Sequence, residues 1–198
     1  RLKGTEGTSF ILILEGEETE IRLPLLGRHF VPNALSAIAT ASLFGVGLEK
    51  AKEALERFRP FLMRMEIISL EGGKTLINDA YNANPNSMEL ALETLLESKG
   101  RGRAIAVLGD MLELGDFKEE GHRELGRKVR ELSIDLLLAM GEEAPVLVES
   151  AIRHGFEPKK AIVVESHSEA VSILKEAIRE GDWILVKGSR GMAMEKIV

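Results

Sequence analysis

The apolar positions of this chain follow one rhythm up to about residue 60 and another beyond it. Phe10–Leu14 and Glu20–Leu25 are short apolar or alternating runs separated by Gly16 and the polar Glu17-Glu18-Thr19, a pattern that predicts a β-hairpin. A helix is predicted after Pro32, with Leu35, Ile38, Ala39 and Leu43 on one face, and Gly45 and Gly47 stop it. A second helix carries Leu48, Ala51, Leu55 and Phe58 on one stripe and ends before Pro60. One hairpin and two helices make a small core, so residues 1–61 read as the tail of a larger domain.

From Met63 onward a hairpin comes first, Met65–Leu70 and Lys74–Asn78 around Glu71-Gly72-Gly73. Strand and helix then alternate. Asn84 caps a helix with Pro85 at its first position, and Met88, Ala91, Leu92, Leu95 and Leu96 form its buried stripe. Ala104–Leu108 is a continuous apolar strand. Asp116 and Glu119 predict a capping-box start for the next helix, with Phe117, Leu125, Val129 and Leu132 turned inward. Asp135–Met140, Lys160–Val164 and Trp183–Val186 are strands. Helices are predicted over about Pro145–His154, from Ser166 to Gly181, and from Met192 to Val198. Apolar strands alternating with amphipathic helices predict an α/β fold, a mostly parallel sheet covered on both faces over residues 62–198.

Composition narrows the function. The 198 residues are 44% hydrophobic and 29% charged, as in a folded domain rather than a disordered chain. A formal net charge of -6 disfavours nucleic acid as a partner. The absence of cysteine excludes disulfide scaffolds, zinc–thiolate sites and thiol nucleophiles. Leu136–Met140 and Ile184–Val186 are far too short to span a bilayer, and Arg1-Leu2-Lys3-Gly4 lacks the apolar core of a signal peptide. A soluble protein without a membrane partner is expected.

In open α/β sheets ligands sit beyond the carboxyl ends of the strands, so the loops that follow strands are the candidate sites. Lys187-Gly188-Ser189-Arg190-Gly191 lies between a strand and a predicted helix. It reads either as an anion-binding loop, with Arg190 forking onto a carboxylate or phosphate, or as an ordinary turn with solvated charges. Asp79 at a strand end suits a sugar's hydroxyls. Asn82 reads as an amide ligand or a turn former, and Asn84 as a helix cap. Asp110, Glu113 and Asp116 hold enough oxygen for a hard cation, but Asp116 has a sufficient role as a cap, and no metal site is assigned. Gly141-Glu142-Glu143 shows only turn chemistry. His122, His154 and His167 read as surface residues. Gly73-Lys74-Thr75 is not a P-loop, because Ile68 stands where the first glycine is required and a strand follows.

In series these strings resemble the Mur ligase family of ATP-dependent amide ligases of peptidoglycan precursor synthesis. The resemblance rests on Gly27-Arg28-His29 with Asn33-Ala34-Leu35; Arg64 with Glu66; Asn78–Pro85 with Ser87-Met88; Gly109-Asp110-Met111 with Glu113-Leu114-Gly115; and Lys187–Gly191 with Met194-Glu195. The Tyr-Asn-Ala-Asn-Pro and Lys-Gly-Ser-Arg-Gly strings favour the member that joins D-alanyl-D-alanine to UDP-N-acetylmuramoyl-tripeptide. What the resemblance implies is a division of the chain: residues 1–61 as the end of the family's central ATPase domain, and residues 62–198 as its C-terminal Rossmann-like domain. It also implies a cytoplasmic monomer that uses ATP and Mg2+. The family's P-loop, magnesium-binding acids and carbamylated lysine match nothing here, so no catalytic residue is assigned. By position, Asn33 matches an adenine contact, Arg64 an arginine facing the ATP phosphates and Asp79 the ribose-binding aspartate. Tyr81, Asn82, Ser189 and Arg190 lie where the peptide substrates meet this domain. One departure is Phe30 after His29, where the family commonly has asparagine. It implies an adenine-side hydrogen bond lost or replaced by ring stacking. A folylpolyglutamate-type ligase would lack the Tyr-Asn-Ala-Asn-Pro string; a stand-alone nucleotide-binding module is the reading from another class.

Overall fold

The continuous apolar runs of the second half form the middle of a six-stranded sheet. In the computed structural model, which describes residues 4–14 and 16–198, the chain divides into two compact units, one ending at Phe61 and one spanning Leu62–Val198. Arg1–Lys3, where the signal-peptide reading fell, lie outside the described residues.

The first unit pairs β1 (Thr8–Leu14) antiparallel with β2 (Glu17–Leu23), followed by α1 (Phe30–Leu43) and α2 (Leu48–Glu56). Ile21, Leu23, Ala34, Ile38 and Ala51 are its core, and Phe10, Leu12, Leu48 and Leu55 pack against them. The expected stripe of α1 is corrected here. The helix starts at Phe30, ahead of Pro32, and buries Ala34 and Ile38, while Leu35, Ala39 and Leu43 are exposed. Hydrophobicity alone does not show which face has a partner; two positions four apart meet this small core.

The second unit begins with the hairpin of β3 (Glu66–Leu70) and β4 (Lys74–Asp79). It continues through α3 (Pro85–Ser98), β5 (Ala104–Gly109), α4 (Lys118–Glu131), β6 (Leu136–Met140), α5 (Ala144–Arg153), β7 (Ala161–Val164), α6 (His167–Ala177) and β8 (Trp183–Lys187). Strand order is β3-β4-β8-β5-β6-β7, parallel throughout except for the β3–β4 hairpin. Ile105, Val107, Ile184 and Val186 share one face with Ala170 and Leu174 of α6. Ala106, Leu108 and Leu185, which the two-residue period turns to the other face, are equally buried. The sheet is therefore covered on both sides, as the sequence pattern predicts.

Helix starts separate side-chain caps from other solutions. Asn84 closes a capping box on α3, accepting from the Ser87 N–H while the Ser87 hydroxyl accepts from the Asn84 N–H. Ser166 caps α6 through the Glu169 N–H. Asp116 does not cap α4. With Gly115 at φ +55°, Gly115–Phe117 form a 3-10 turn, the helix starts at Lys118, and the Phe117 ring turns out to 76% exposure instead of packing inward. The helix predicted over Met192–Val198 is two short 3-10 turns, Arg190–Met192 and Met194–Ile197, joined at Ala193 with φ +48°. No α-helix N-terminus stands behind the Lys187–Gly191 loop, so the helix-dipole argument for an anion there falls.

At the amino ends of the strands, Arg103 before β5 meets Asp182 before β8. Arg103 Nε and Nη2 donate to the two Asp182 oxygens at 3.0 and 2.5 Å, Nη2 also donates to the Ala177 carbonyl at 2.7 Å, and the Arg179 N–H donates to Asp182 at 2.7 Å. Burial alone pushes the Asp182 carboxyl up; the Arg103 fork and the Arg179 N–H outweigh it and hold the group below the usual carboxylate range. Among the described residues no helix is long and apolar enough to cross a membrane.

Candidate functional site

The register of the central strands brings three of the predicted loops together at the carboxyl edge of the second unit. Asp79 at the end of β4 pairs with Lys187 at the end of β8, and Lys187 with Leu108 of β5. Asp79–Pro85, Gly109–Met111 and Lys187–Gly191 are thus neighbours in space.

Lys187 is the residue that sequence reasoning left without a role. It closes a strand that is buried throughout, and its side chain is 3% exposed. Its Nζ donates to Asp79 Oδ2 at 2.5 Å and to the Asn82 carbonyl at 2.9 Å. The other Asp79 oxygen accepts the Met65 N–H at 3.0 Å. Asp79 therefore stands at the strand end as the sequence suggests, but fixed by two protein donors. The signal for Lys187 is a lone lysine ending an apolar run, and its meaning needs the β4–β8 pairing.

The turn before β3 folds back onto this loop. Glu66 Oε2 accepts the Met63 N–H at 3.1 Å and the Asn78 amide at 2.9 Å, while the Tyr81 N–H donates to the Met63 carbonyl at 3.1 Å. Met63 and Met65 both have positive φ, +60° and +50°, sparsely populated values for long side chains. Between them exposed Arg64 lies over the half-exposed Tyr81 ring, 4.0 Å from its centroid. Arg64, Asp79, Tyr81 and Asn82 are thus brought into one loop cluster.

Ser189 and Arg190 divide the last loop between an inward and an outward role. The Ser189 N–H donates to the Asp110 carbonyl at 3.0 Å, and its hydroxyl accepts the Leu112 N–H at 2.8 Å and faces the Ala83 carbonyl at 3.4 Å. Buried Ser189 stitches the three loops together. Arg190 is over half exposed, and its Nη1 donates to Glu195 Oε1 at 2.8 Å; the other Glu195 oxygen is buried with no partner among the described residues. Close approach of the β5 and β8 ends requires glycine: a Cβ on Gly188 would stand 3.1 Å from the Gly109 Cα and 2.7 Å from Met194.

Asp110 is buried and spent on the protein. Its carboxylate accepts the Glu142 and Glu143 N–H groups at 2.7 and 3.2 Å, and Gly141, at φ +133°, leaves room for it. Gly141-Glu142-Glu143 is therefore an anchoring loop. Among the described residues no group of three or more His, Cys, Asp or Glu is arranged to hold a metal. His122 is not a surface residue: it is 1% exposed, Nε2 accepts the Met111 N–H at 2.9 Å, and Nδ1 therefore carries the proton toward the Lys118 carbonyl at 2.6 Å. A polar residue on an amphipathic helix reads as exposed until its backbone partners are known. His154 is exposed, and half-buried His167 contacts the Met192 carbonyl at 2.9 Å.

Asn33 belongs to the first unit, where it is exposed in the opening turns of α1. Ahead of it the His29 and Phe30 rings lie 4.2 Å apart between centroids, so Phe30 packs on the histidine.

The family described as Mur ligase, glutamate ligase domain, matches residues 63–190. The UDP-N-acetylmuramoyl-tripeptide--D-alanyl-D-alanine ligase of Bacillus subtilis is 39% identical over 193 residues, which cover 98% of this chain and 42% of that protein. A crystal structure of MurF from Acinetobacter baumannii superposes with a TM-score of 0.85 at 32% identity, over 98% of this chain and 42% of that one. MurF from Thermotoga maritima in complex with ADP has the same fold, with a TM-score of 0.83 at 20% identity, over 99% of this chain and 43% of that one. The chain thus spans about two fifths of the length of the relatives it matches.

Proposed function

The chain belongs to the Mur ligase family, and we propose that it is the C-terminal part of an ATP-dependent ligase that joins D-alanyl-D-alanine to UDP-N-acetylmuramoyl-tripeptide in peptidoglycan precursor synthesis. On this reading residues 1–61 end the central ATPase domain, and residues 62–198 form the C-terminal domain. The observation that carries it is the convergence of three family strings at one sheet edge, held by Lys187, Asp79 and Ser189.

The terminal carboxylate of the tripeptide attacks the γ-phosphorus of ATP, giving an acyl phosphate and ADP. The dipeptide amine then attacks the acyl carbon, phosphate leaves, and the amine's extra proton is lost. This chain's share is positioning and charge. Asp79 accepts hydrogen bonds from the ribose hydroxyls while Lys187 holds its carboxylate in place. Arg64, exposed beside Asp79's partner Met65, is available to the polyphosphate. Asn33 serves the adenine. Tyr81, Asn82 and Arg190 face the peptide substrates, with Arg190 a fork for the dipeptide carboxylate; buried Ser189 orients that loop. Mg2+ ligands and the P-loop are supplied by family segments outside this chain. The enzyme acts in the cytoplasm as a monomer and supports cell wall growth, shape and division.

The test is ADP release by the full-length protein. Release should require the UDP-tripeptide and D-alanyl-D-alanine together, and residues 1–198 alone should remain at background. Release that proceeds with glutamate or a folate in place of these substrates would overturn the assignment.

A further inference from the structure

Lys187 is costly where it stands. A buried ion pair contributes little over an apolar pair of the same size, and the rest of its strand, Trp183-Ile184-Leu185-Val186, is apolar. What an apolar residue there cannot do is hold two points of the facing loop at once. The ammonium grips the Asp79 carboxylate at 2.5 Å and, three residues on, the Asn82 carbonyl at 2.9 Å. Without it, that carboxylate keeps only the N–H of Met65, a residue in left-handed backbone, and the Asn82 carbonyl loses its partner. At 3% exposure Lys187 is shielded from any ligand and acts through these groups.

We propose that Lys187 is a positioning residue that fixes the nucleotide-side carboxylate Asp79 and the peptide-side loop at Asn82 relative to each other, so that one buried ammonium sets the affinity for both ATP and the dipeptide. This rests on the ligase reading above. Lys187 transmits to the nucleotide only through Asp79, but to the dipeptide through the Asn82 carbonyl, which does not depend on Asp79. The two substrates therefore respond differently when Asp79 is altered first.

The experiment is a double-mutant cycle in the full-length ligase with Lys187→Met, Asp79→Asn and both, reading kcat and the KM for ATP and for D-alanyl-D-alanine. Lys187→Met should raise both KM values about tenfold, the loss of one charge-assisted hydrogen bond, with kcat within about threefold. In the Asp79→Asn background it should add less than about threefold to the ATP KM yet keep its about tenfold effect on the dipeptide KM. The double variant carries no unpaired buried charge, so it supplies the dipeptide comparison even if Lys187→Met alone fails to fold. Additive ATP effects, or an unchanged dipeptide KM in both backgrounds, would overturn the proposal. Wild-type enzyme whose ADP release ignores D-alanyl-D-alanine would overturn the ligase reading instead.

Discussion

At the amino end of the sheet Arg103 and Asp182 join β5 to β8; at the carboxyl end Lys187 and Asp79 join β8 to β4. Both pairs tie neighbouring strands, and both contain an aspartate with more than one donor. Their surroundings differ. Asp182 is surrounded by its partners, and the Arg103 fork also serves the end of α6, so that end is closed. At the other end the pair underlies a turn with two left-handed methionines, an exposed arginine on a half-exposed tyrosine, and a second arginine held by Glu195 and the Met63 sulfur yet over half exposed. One ion pair completes a fold; the other supports side chains that still have a face to offer.

The contrast is most exposed at Asp79. Asp79→Ala strands the buried Lys187 ammonium, so it should cost about 3 kcal/mol of stability and raise the ATP KM of the full-length ligase about ten- to a hundredfold. Thermal melting and steady-state kinetics read the two effects. A strand-end carboxylate looks dispensable to the fold until its lysine partner is seen. A stable variant with an unchanged ATP KM would remove the carboxyl end from the site altogether.

Arg103→Met should cost about 2 kcal/mol in denaturant unfolding and leave every KM alone. Its pH signature follows from the lowered Asp182 carboxyl. A group depressed in the folded state stabilises above its unfolded pKa of about 3.9 and loses that contribution as pH falls through the folded value. Wild type should therefore lose its advantage over the variant in acid titrations below about pH 4. A changed KM would mean that the two ends are not separate in function.

Arg190→Lys should raise the dipeptide KM about tenfold, since lysine lacks the planar fork, with melting unchanged because the side chain is over half exposed. If the ATP KM rises instead, the last loop belongs to the nucleotide. Smallest of all, Phe117→Ser at the same edge should shift unfolding by less than about 0.5 kcal/mol, because the ring is solvated. A larger loss would show that the carboxyl edge is packed like the amino edge.

What sequence reasoning reached was the part governed by local rules. Ala104–Leu108 and Leu136–Met140 are apolar without interruption because both faces are covered, and Asn84-Pro85 declares a helix start by its own chemistry. The rule for strand ends picked three loops that the fold unites. The rest depended on partners far along the chain. Lys187 meets Asp79 across 108 residues and Arg103 meets Asp182 across 79, so neither pair has a local signature. His122 is polar and buried because a backbone N–H eleven residues back needs an acceptor. Leu43 and Phe117 are apolar and exposed, since hydrophobicity reports a preference and not a neighbour.

β8, the latest of the strands in chain order, lies between β4 and β5 in the middle of the sheet. During synthesis β3–β4 and β5–β6–β7 therefore emerge as two separate half-sheets, each with an open edge where β8 will insert. Joining them requires closing the long loop from β4 to β8 before any β4–β8 hydrogen bond can form, which is slow by its topology. A ribosome stalled before Trp183 holds neither a complete sheet nor the lysine of the Lys187–Asp79 pair. Fold and site are completed in one late step, and until then the apolar edges of both halves are open to chaperones or to aggregation.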